Sequence, residues 1–204
     1  VKEIPTGDLK LGLGYSTSDK VSLSGSINEN NFMGTGNSLG LDIDTSSSSR
    51  NATITTRNPY MTKYGVSRDF SVYYRKYDAS KLNISDVKYT TTGVNLSFGV
   101  PISENNKIFL GVNPERNKIA LASTGEVPAS YTQYTNGKNS FTTYALTAGW
   151  SHDTRDSGFS PSRGTLQRVN LEVAPVGDIN YYKASYQFQK FVPVSKYFTL
   201  AFNT

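Results

Sequence analysis

Leu9-Lys10-Leu11-Gly12-Leu13-Gly14-Tyr15 is the stretch that decides the fold, because every second side chain in it is large and apolar. A period of two is typical of a β-strand with one apolar and one polar face. The same alternation returns in residues 21–27, 39–43, 52–56, 70–74, 94–100, 108–112, 144–150, 169–173, 182–188 and 198–202. No segment has a convincing helical period with caps. The sequence therefore predicts an all-β fold of about eleven strands.

The composition excludes several classes of protein. The 204 residues contain no cysteine, which excludes disulfide scaffolds and thiolate metal sites. No apolar run approaches the ~20 residues that a membrane-spanning helix needs. The formal net charge is +5, but the charges are scattered instead of forming the patch typical of nucleic-acid binding. We therefore expect no nucleic-acid partner.

The breaks between the strands predict an antiparallel up-and-down meander. Turn-forming residues such as Asn58-Pro59 and Glu104-Asn105-Asn106 lie between successive strands. The odd-numbered connections should then lie at one end of the sheet and the even-numbered ones at the other. The seventh connection, residues 114–140, is predicted to be the longest and to be a tolerant surface loop.

The alternation alone leaves open which face of the sheet meets water. In a soluble sandwich the apolar side chains face a core, whereas in a membrane barrel they face lipid. The predicted strands are about as long as the ~9–11 residues of a tilted membrane strand. The polar positions hold mostly Gly, Ser, Thr and Asn, and Tyr and Phe crowd near the strand ends. These features favour a transmembrane β-barrel over a sandwich.

Four short motifs, spread in order along the chain, resemble those of one known family. They are Val1-Lys2-Glu3-Ile4-Pro5-Thr6-Gly7 running into Leu11-Gly12-Leu13-Gly14-Tyr15, then Asn31-Phe32-Met33-Gly34-Thr35-Gly36, Arg57-Asn58-Pro59-Tyr60, and Asp153-Thr154-Arg155-Asp156 followed by Phe159, Pro161 and Gly164. The chain resembles the barrel of the BamA family, the outer-membrane β-barrel assembly factors of Gram-negative bacteria. A related transporter of the TamA kind fits the opening segment less well.

The resemblance implies a barrel of sixteen strands, of which residues 1–204 would form a partial domain with about the first eleven. Periplasmic domains and C-terminal strands are then expected to be absent from this chain. A set of eleven strands is expected to belong to a longer polypeptide or to be held open against a partner. The implied location is the cell outer membrane. The implied partners are outer-membrane lipids and lipopolysaccharide, unfolded outer-membrane protein clients, and lipoprotein subunits of an assembly complex, with no cofactor.

The resemblance also implies a role for the first strand, at about residues 7–17, as one half of a lateral gate. An unpaired strand edge offers backbone groups to which an extended client strand can add. Glycines weaken local pairing and allow close backbone approach, although they also suit a crowded barrel interior. The candidate client-strand residues are Leu9, Leu11, Gly12, Leu13, Gly14 and Tyr15.

The family's hairpin between the eighth and ninth strands supplies a second, structural motif. Its candidate residues are Asp153, Arg155, Asp156, Pro161 and Gly164. The Arg and Asp residues are predicted to form buried ion pairs and hydrogen bonds that fix the turn and the lumen, and Pro161 and Gly164 to set the backbone of the turn. The only histidine, His152, lies beside Ser151, but neighbouring strand residues point to opposite faces, so a Ser-His-Asp relay is not expected. One histidine with scattered carboxylates also lacks metal-ligand spacing. We therefore predict no catalytic site and no metal site.

Two rival functions remain open at this point. A soluble β-sandwich binding module would use exposed tyrosines to hold its ligand. A passive outer-membrane pore would share the barrel but lack a labile seam. A further hypothesis is that Lys63, Arg68, Lys76 and Lys81, near strand ends, meet lipid phosphates.

Overall fold

The computed structural model describes residues 7–82, 87–121, 138–195 and 197–204. In these ranges the chain forms β1 (Gly7–Ser16), β2 (Lys20–Glu29), β3 (Ser38–Thr45), β4 (Ser49–Asn58), β5 (Ser67–Asp78), β6 (Val87–Ser103), β7 (Asn106–Leu121), β8 (Ser140–Asp153), β9 (Gly164–Gly177), β10 (Tyr181–Pro193) and β11 (Thr199–Asn203). Two short 3-10 helices, Phe32–Gly34 and Ala79–Leu82, lie in connections. Among the described residues, no helix is long and apolar enough to cross a membrane.

All eleven strands belong to one sheet, in which spatial order equals chain order. Each neighbouring pair is antiparallel, from β1 on β2 to β10 on β11. The prediction of an all-β, up-and-down antiparallel fold is confirmed. The described ranges contain no second sheet, so the sandwich alternative, which needs two packed sheets, is wrong. The sheet is open within this chain, with β1 and β11 as its edges.

Some predicted boundaries differ from the structure. The first strand ends at Ser16, one residue earlier than expected, where the turn to β2 begins. The seventh connection is shorter than predicted because β7 continues to Leu121 and pairs with β8 as far as Lys118. Lys118 is therefore a strand residue. The loop positions Glu126, Pro128, Tyr131 and Tyr134, like Val1–Thr6 of the first motif, lie outside the described residues.

The two faces of the sheet differ in exposure in the sense that a membrane barrel requires. We call the face with Leu11, Leu13 and Val72 the apolar face, and the opposite face, with Gly12 and Tyr73, the polar face. On the apolar face Leu11 is 80% exposed and Leu13 is 77% exposed. On the polar face Tyr73 is only 6% exposed. A single sheet can bury one face in this way only by curling, so the polar face is concave.

A hydrogen-bonded network lines the concave face across β5, β6 and β7. The Tyr73 hydroxyl donates to Asn113 Oδ1 at 2.9 Å and to Glu115 Oε2 at 2.8 Å. The Arg75 guanidinium lies over the Tyr73 ring, 4.5 Å from its centroid. To reach β7, the Tyr73 ring crosses β6 above Gly93, its partner in register. Gly93 is required there because a Cβ would lie 2.5 Å from Cζ of that ring.

The concave face is not polar throughout. Near the odd-numbered connections, four buried apolar side chains pack together, and two tyrosines lie against them. They are Val87, Ile119, Phe141 and Ile179, with Tyr89 and Tyr181. The strand period places Val87, Ile119 and Phe141 on the polar face. This end of the hollow is thus filled by side chains, because burying them removes apolar surface from water.

A valine at position 93 should displace the Tyr73 ring and break its bonds to β7. We expect Gly93→Val to lower the free energy of unfolding by about 1–3 kcal/mol, the usual cost of overpacking. Urea unfolding of the protein in lipid measures the change. Gly25→Val is the matched control, since the nearest atom to a Cβ at Gly25 is Leu11 Cδ2 at an ordinary 3.6 Å. Equal losses in the two variants would contradict the steric argument.

Candidate functional site

Strand β1 pairs with the sheet along only one of its sides. Its ten residues match β2 without a break, from Gly7 opposite Glu29 to Ser16 opposite Lys20. Every residue of the strand is exposed. In the described sheet the other side of β1 has no strand beside it. A row of backbone N–H and C=O groups therefore stands open to a further strand.

Gly12 and Gly14 lie on the polar face of this edge strand, opposite serines of β2. Gly12 pairs with Ser24 and Gly14 with Ser22. A Cβ at Gly14 would lie 2.6 Å from the Ser22 hydroxyl oxygen, and a Cβ at Gly12 would run into that of Ser24. These contacts are with side-chain tips that can rotate away, and neither glycine has a positive φ. The two glycines therefore leave space on the polar face of β1, although the backbone conformation does not require glycine at either position.

The remaining candidate residues of β1 cover the apolar face. Leu9, Leu11, Leu13 and Tyr15 alternate with the glycines and Lys10, and all four are largely exposed. Their partners on β2 include Ile27, Leu23 and Val21, so the apolar surface continues across the first hairpin. The structure thus brings the six candidate gate residues together on one edge, divided between its two faces.

The far end of the β1–β2 hairpin is tied to the next hairpin by Asp19, which the sequence analysis missed. The Asp19 carboxylate accepts hydrogen bonds from the Ser46 hydroxyl at 3.0 Å, from the Ser48 amide at 3.3 Å and from the Ser48 hydroxyl. The Ser48 and Ser46 hydroxyls are the main cause that lowers the pKa of Asp19. The sequence did place the two turns at the same end of the sheet, because both are odd-numbered connections, but it did not indicate which residues would bond. These hydrogen bonds join the β1–β2 turn to the β3–β4 turn.

The second motif forms the connection between β8 and β9, as the resemblance implied. Arg155 and Asp153 make a two-pronged ion pair, with Nε to Oδ1 and Nη2 to Oδ2 both at 2.9 Å. The Arg155 amide also donates to Asp153 Oδ1 at 3.1 Å. Because the planar guanidinium matches the carboxylate, this pair fixes the direction in which the chain leaves β8.

Asp156 acts on the turn itself instead of joining that ion pair. Its carboxylate accepts the Ser162 amide at 2.9 Å, the Arg163 amide at 3.3 Å and the Ser162 hydroxyl. These bonds close the loop across six residues. The Ser162 hydroxyl, followed by the Ser162 amide, lowers the pKa of Asp156 to about 2.

Gly164 is the candidate residue with the strictest steric requirement. Its φ of +106° lies in a region that side chains rarely adopt, and a Cβ would lie 2.7 Å from Arg155 Cα. Pro161 is half-buried in the same loop. The five residues of this motif thus lie in one hairpin, where Asp153, Arg155, Asp156 and Gly164 each have a defined geometric task. Asp156 is exposed and forms no ion pair within the described residues, so the prediction of buried ion pairs is wrong for this residue.

His152 takes part in a different contact from the one that a catalytic relay needs. Its Nδ1 lies 3.0 Å from Asn106 Oδ1, and its ring stacks near Trp150 with centroids 6.1 Å apart. Ser151, the neighbour on the opposite face, is buried. In the part of the chain that the structure describes, no cluster of three His, Asp or Glu side chains is arranged to hold a metal ion.

The hairpin geometry predicts how the Asp156 carboxyl titrates. Since its pKa is lowered, the turn is stabilised by the carboxylate above about pH 3.8, and this contribution is lost as the pH falls through about 2. We expect Ser162→Ala to raise the pKa of Asp156 toward 3.8, measured by carboxyl ¹³C NMR in micelles. Ser160→Ala is the control, because the Ser160 amide bonds Ser157 instead. An Asp156 that titrates near 3.8 in the unsubstituted protein would refute the assignment.

Comparison with known proteins agrees with this geometry. The model of the Omp85 superfamily domain matches residues 31–204. The chain is 30% identical to outer membrane protein assembly factor BamA of Neisseria meningitidis serogroup B over 97% of its own length and 26% of that protein. It is also 30% identical to BamA of Buchnera aphidicola, over 62% of this chain and 22% of that protein. The chain thus spans about a quarter of the length of these curated relatives.

A solved structure extends the agreement to three dimensions. The crystal structure of BamA from Haemophilus ducreyi lacking POTRA domains 1–3 superposes with a TM-score of 0.77 and 26% identity. The match covers 100% of this chain and 42% of that one. The resemblance to the BamA family and the β-barrel fold are both confirmed. This chain belongs to the Omp85 superfamily, and its sheet is part of an outer-membrane β-barrel.

Proposed function

We propose that this chain serves in the assembly of outer-membrane proteins, with β1 as the template strand of a lateral gate. The observation that carries the proposal is the make-up of β1, with exposed leucines on its apolar face and glycines on its polar face, in a sheet that matches a solved BamA structure over 100% of this chain and 42% of that one. In this proposal residues 1–204 are one part of a larger barrel domain. Its partners are outer-membrane lipids, unfolded outer-membrane clients and lipoprotein subunits of an assembly complex.

Backbone geometry supports the template role of β1. In an antiparallel pair, alternate residues direct both their N–H and their C=O toward the same neighbour. A strand of ten residues therefore offers about five such residues to a strand on its open side. In hydrocarbon these groups have no water to bond, so adding a client strand satisfies them. The recognition is of backbone, which makes it independent of the client's sequence.

The side chains on the two faces of β1 support the same role, because one face is apolar and the other leaves space. On the apolar face, Leu11 and Leu13 meet lipid and hold the edge at membrane depth. On the polar face, Gly12 and Gly14 leave space for the inward-facing side chains of a neighbouring strand. A client strand with the same alternation of apolar and polar residues would continue both faces of the sheet.

The proposed task is mechanical and needs no catalytic residue. The relatives that match over most of the chain are named assembly factors. His152, the one histidine, is engaged with Asn106 and Trp150. Strand exchange at an edge forms and breaks hydrogen bonds without covalent chemistry, so we assign this protein a non-enzymatic role.

Double substitution of the edge glycines tests the template role. We expect Gly12→Val with Gly14→Val to slow client folding at least several-fold, because β-branched residues stiffen β1 and fill the space left on its polar face. The assay follows the folding of an outer-membrane β-barrel client into vesicles that contain the full-length protein carrying this sheet. The heat-modifiable gel mobility of the client reports folding.

Gly25→Val is the matched control, since it adds the same side chain to β2 in the same hairpin but away from the open edge. The gel mobility of the variant protein itself shows whether its own barrel has formed. Client folding at the unsubstituted rate in the double variant would remove the template role from β1.

A further inference from the structure

The charged residues of the strands are divided between the two faces of the sheet. The strand period places Asp42, Asp69 and Glu115 on the concave polar face. On the apolar face, toward the odd-numbered connections, it places cations on four strands, of which Lys88 on β6 pairs with Asp78 and the others do not. The others are Arg50 on β4, Lys76 on β5, and Arg116 and Lys118 on β7, and we call these four residues the basic row.

The register makes the basic row continuous across four strands. Arg50 lies directly opposite Lys76, and Lys76 lies opposite Thr90. Thr90 lies in turn opposite Lys118. Arg116 is two residues from Lys118 on the same face, and its Nε donates to the Ser140 hydroxyl at 3.2 Å. One row of side chains thus runs from β4 to β7 with cations at both ends.

The four cations of the basic row form no salt bridge within the described chain, although Asp78 lies two residues from Lys76 on the same face. Like charges directly opposite each other on neighbouring strands are destabilising. Within the described ranges, none of the four cations has a carboxylate oxygen within 4 Å; the nearby Lys88, by contrast, pairs with Asp78 at 3.3 Å. Arrangements of this kind are stabilised when an external anion lies between the cations.

The position of the basic row indicates the source of that anion. The basic row lies on the connection side of the exposed apolar side chains of its strands, as Lys76 follows Val72 and Tyr74, and Arg50 precedes Ile54. In an outer-membrane barrel this is the height at which hydrocarbon gives way to lipid headgroups. Cations at that height attract lipid phosphates.

The spacing of the basic row limits the type of headgroup. Neighbouring strands lie about 4.8 Å apart, so Lys76 and Lys118 are separated by about 10 Å and Arg50 and Lys118 by about 14 Å. One phosphate cannot contact both ends of such a row. Two phosphates fit, one between Arg50 and Lys76 and the other beside Arg116 and Lys118.

We propose that the basic row binds the headgroup of a glycolipid that carries two phosphates about 10–14 Å apart. This proposal rests on the outer-membrane placement of the sheet but not on the gate role of β1. Of the four cations first suggested to meet lipid phosphates, Lys76 and Lys81 lie toward the odd-numbered connections, whereas Lys63 and Arg68 lie toward the even-numbered ones.

Lipid binding to the full-length protein carrying this sheet, in detergent micelles, tests the proposal. Diphosphoryl lipid A, monophosphoryl lipid A and phosphatidylethanolamine are added in turn, and native mass spectrometry measures the bound fraction. We expect the diphosphoryl lipid to bind most tightly and its affinity to fall with added salt. Inorganic phosphate at millimolar concentration should compete weakly, because it cannot bridge the two ends of the row.

Charge removal at the basic row should abolish this preference. We expect Arg50→Gln, Lys76→Gln and Lys118→Gln together to weaken diphosphoryl binding by on the order of a hundredfold, at about fivefold for each cation. The control variant, Lys63→Gln, Arg68→Gln and Lys190→Gln, removes the same net charge from the other end of the strands and should bind normally.

Equal weakening in both triple variants would show an effect of net charge alone and overturn the site. Equal affinities for the two forms of lipid A would overturn the two-phosphate arrangement. Heat-modifiable mobility of each variant shows whether its barrel has formed. Because the measurement uses no client, failure of the gate proposal leaves its result unaffected.

Discussion

Backbone hydrogen bonding between neighbouring strands is the interaction on which the rest of this structure depends. Within a membrane each N–H and C=O must find a partner inside the protein, and ten antiparallel pairings satisfy those of the strands between the two edges. In the proposed gate role, the same requirement would favour the addition of a client strand to the free side of β1.

The curling of this sheet decides how its polar side chains are used. Carboxylates and tyrosines on the concave face bond across strands, as Tyr73 does when it crosses Gly93 to reach Glu115. On the apolar face the four cations of the basic row form no salt bridge within the described chain, so they remain available at the membrane interface. At the odd-numbered end, Asp19 joins two hairpins, while a cluster around Val87 fills the hollow. Both of these features stabilise the same end of the sheet.

Much of this arrangement follows from particular residues in the sequence. The alternation in Leu11-Gly12-Leu13-Gly14 predicted β1, and the family resemblance carried by Asp153 to Gly164 implied the β8–β9 hairpin. The end of β7 was misplaced, since Pro114 and Glu115 look like a loop opening but are held in the strand by pairing with Tyr144 and Thr143. The bond from Ser48 to Asp19 joins residues 29 positions apart, which no local pattern reveals.

The sequence by itself determined the all-β class, the order of strands and the two-faced character of each, since a period of two is a local property of the chain. Only the tertiary structure decided which face is concave, because alternation is the same in a sandwich and in a barrel. It also decided that Arg50 and Lys76 stand opposite each other, which depends on register. Register is set by pairing between strands, and a one-residue slip would have moved every cation to the other face.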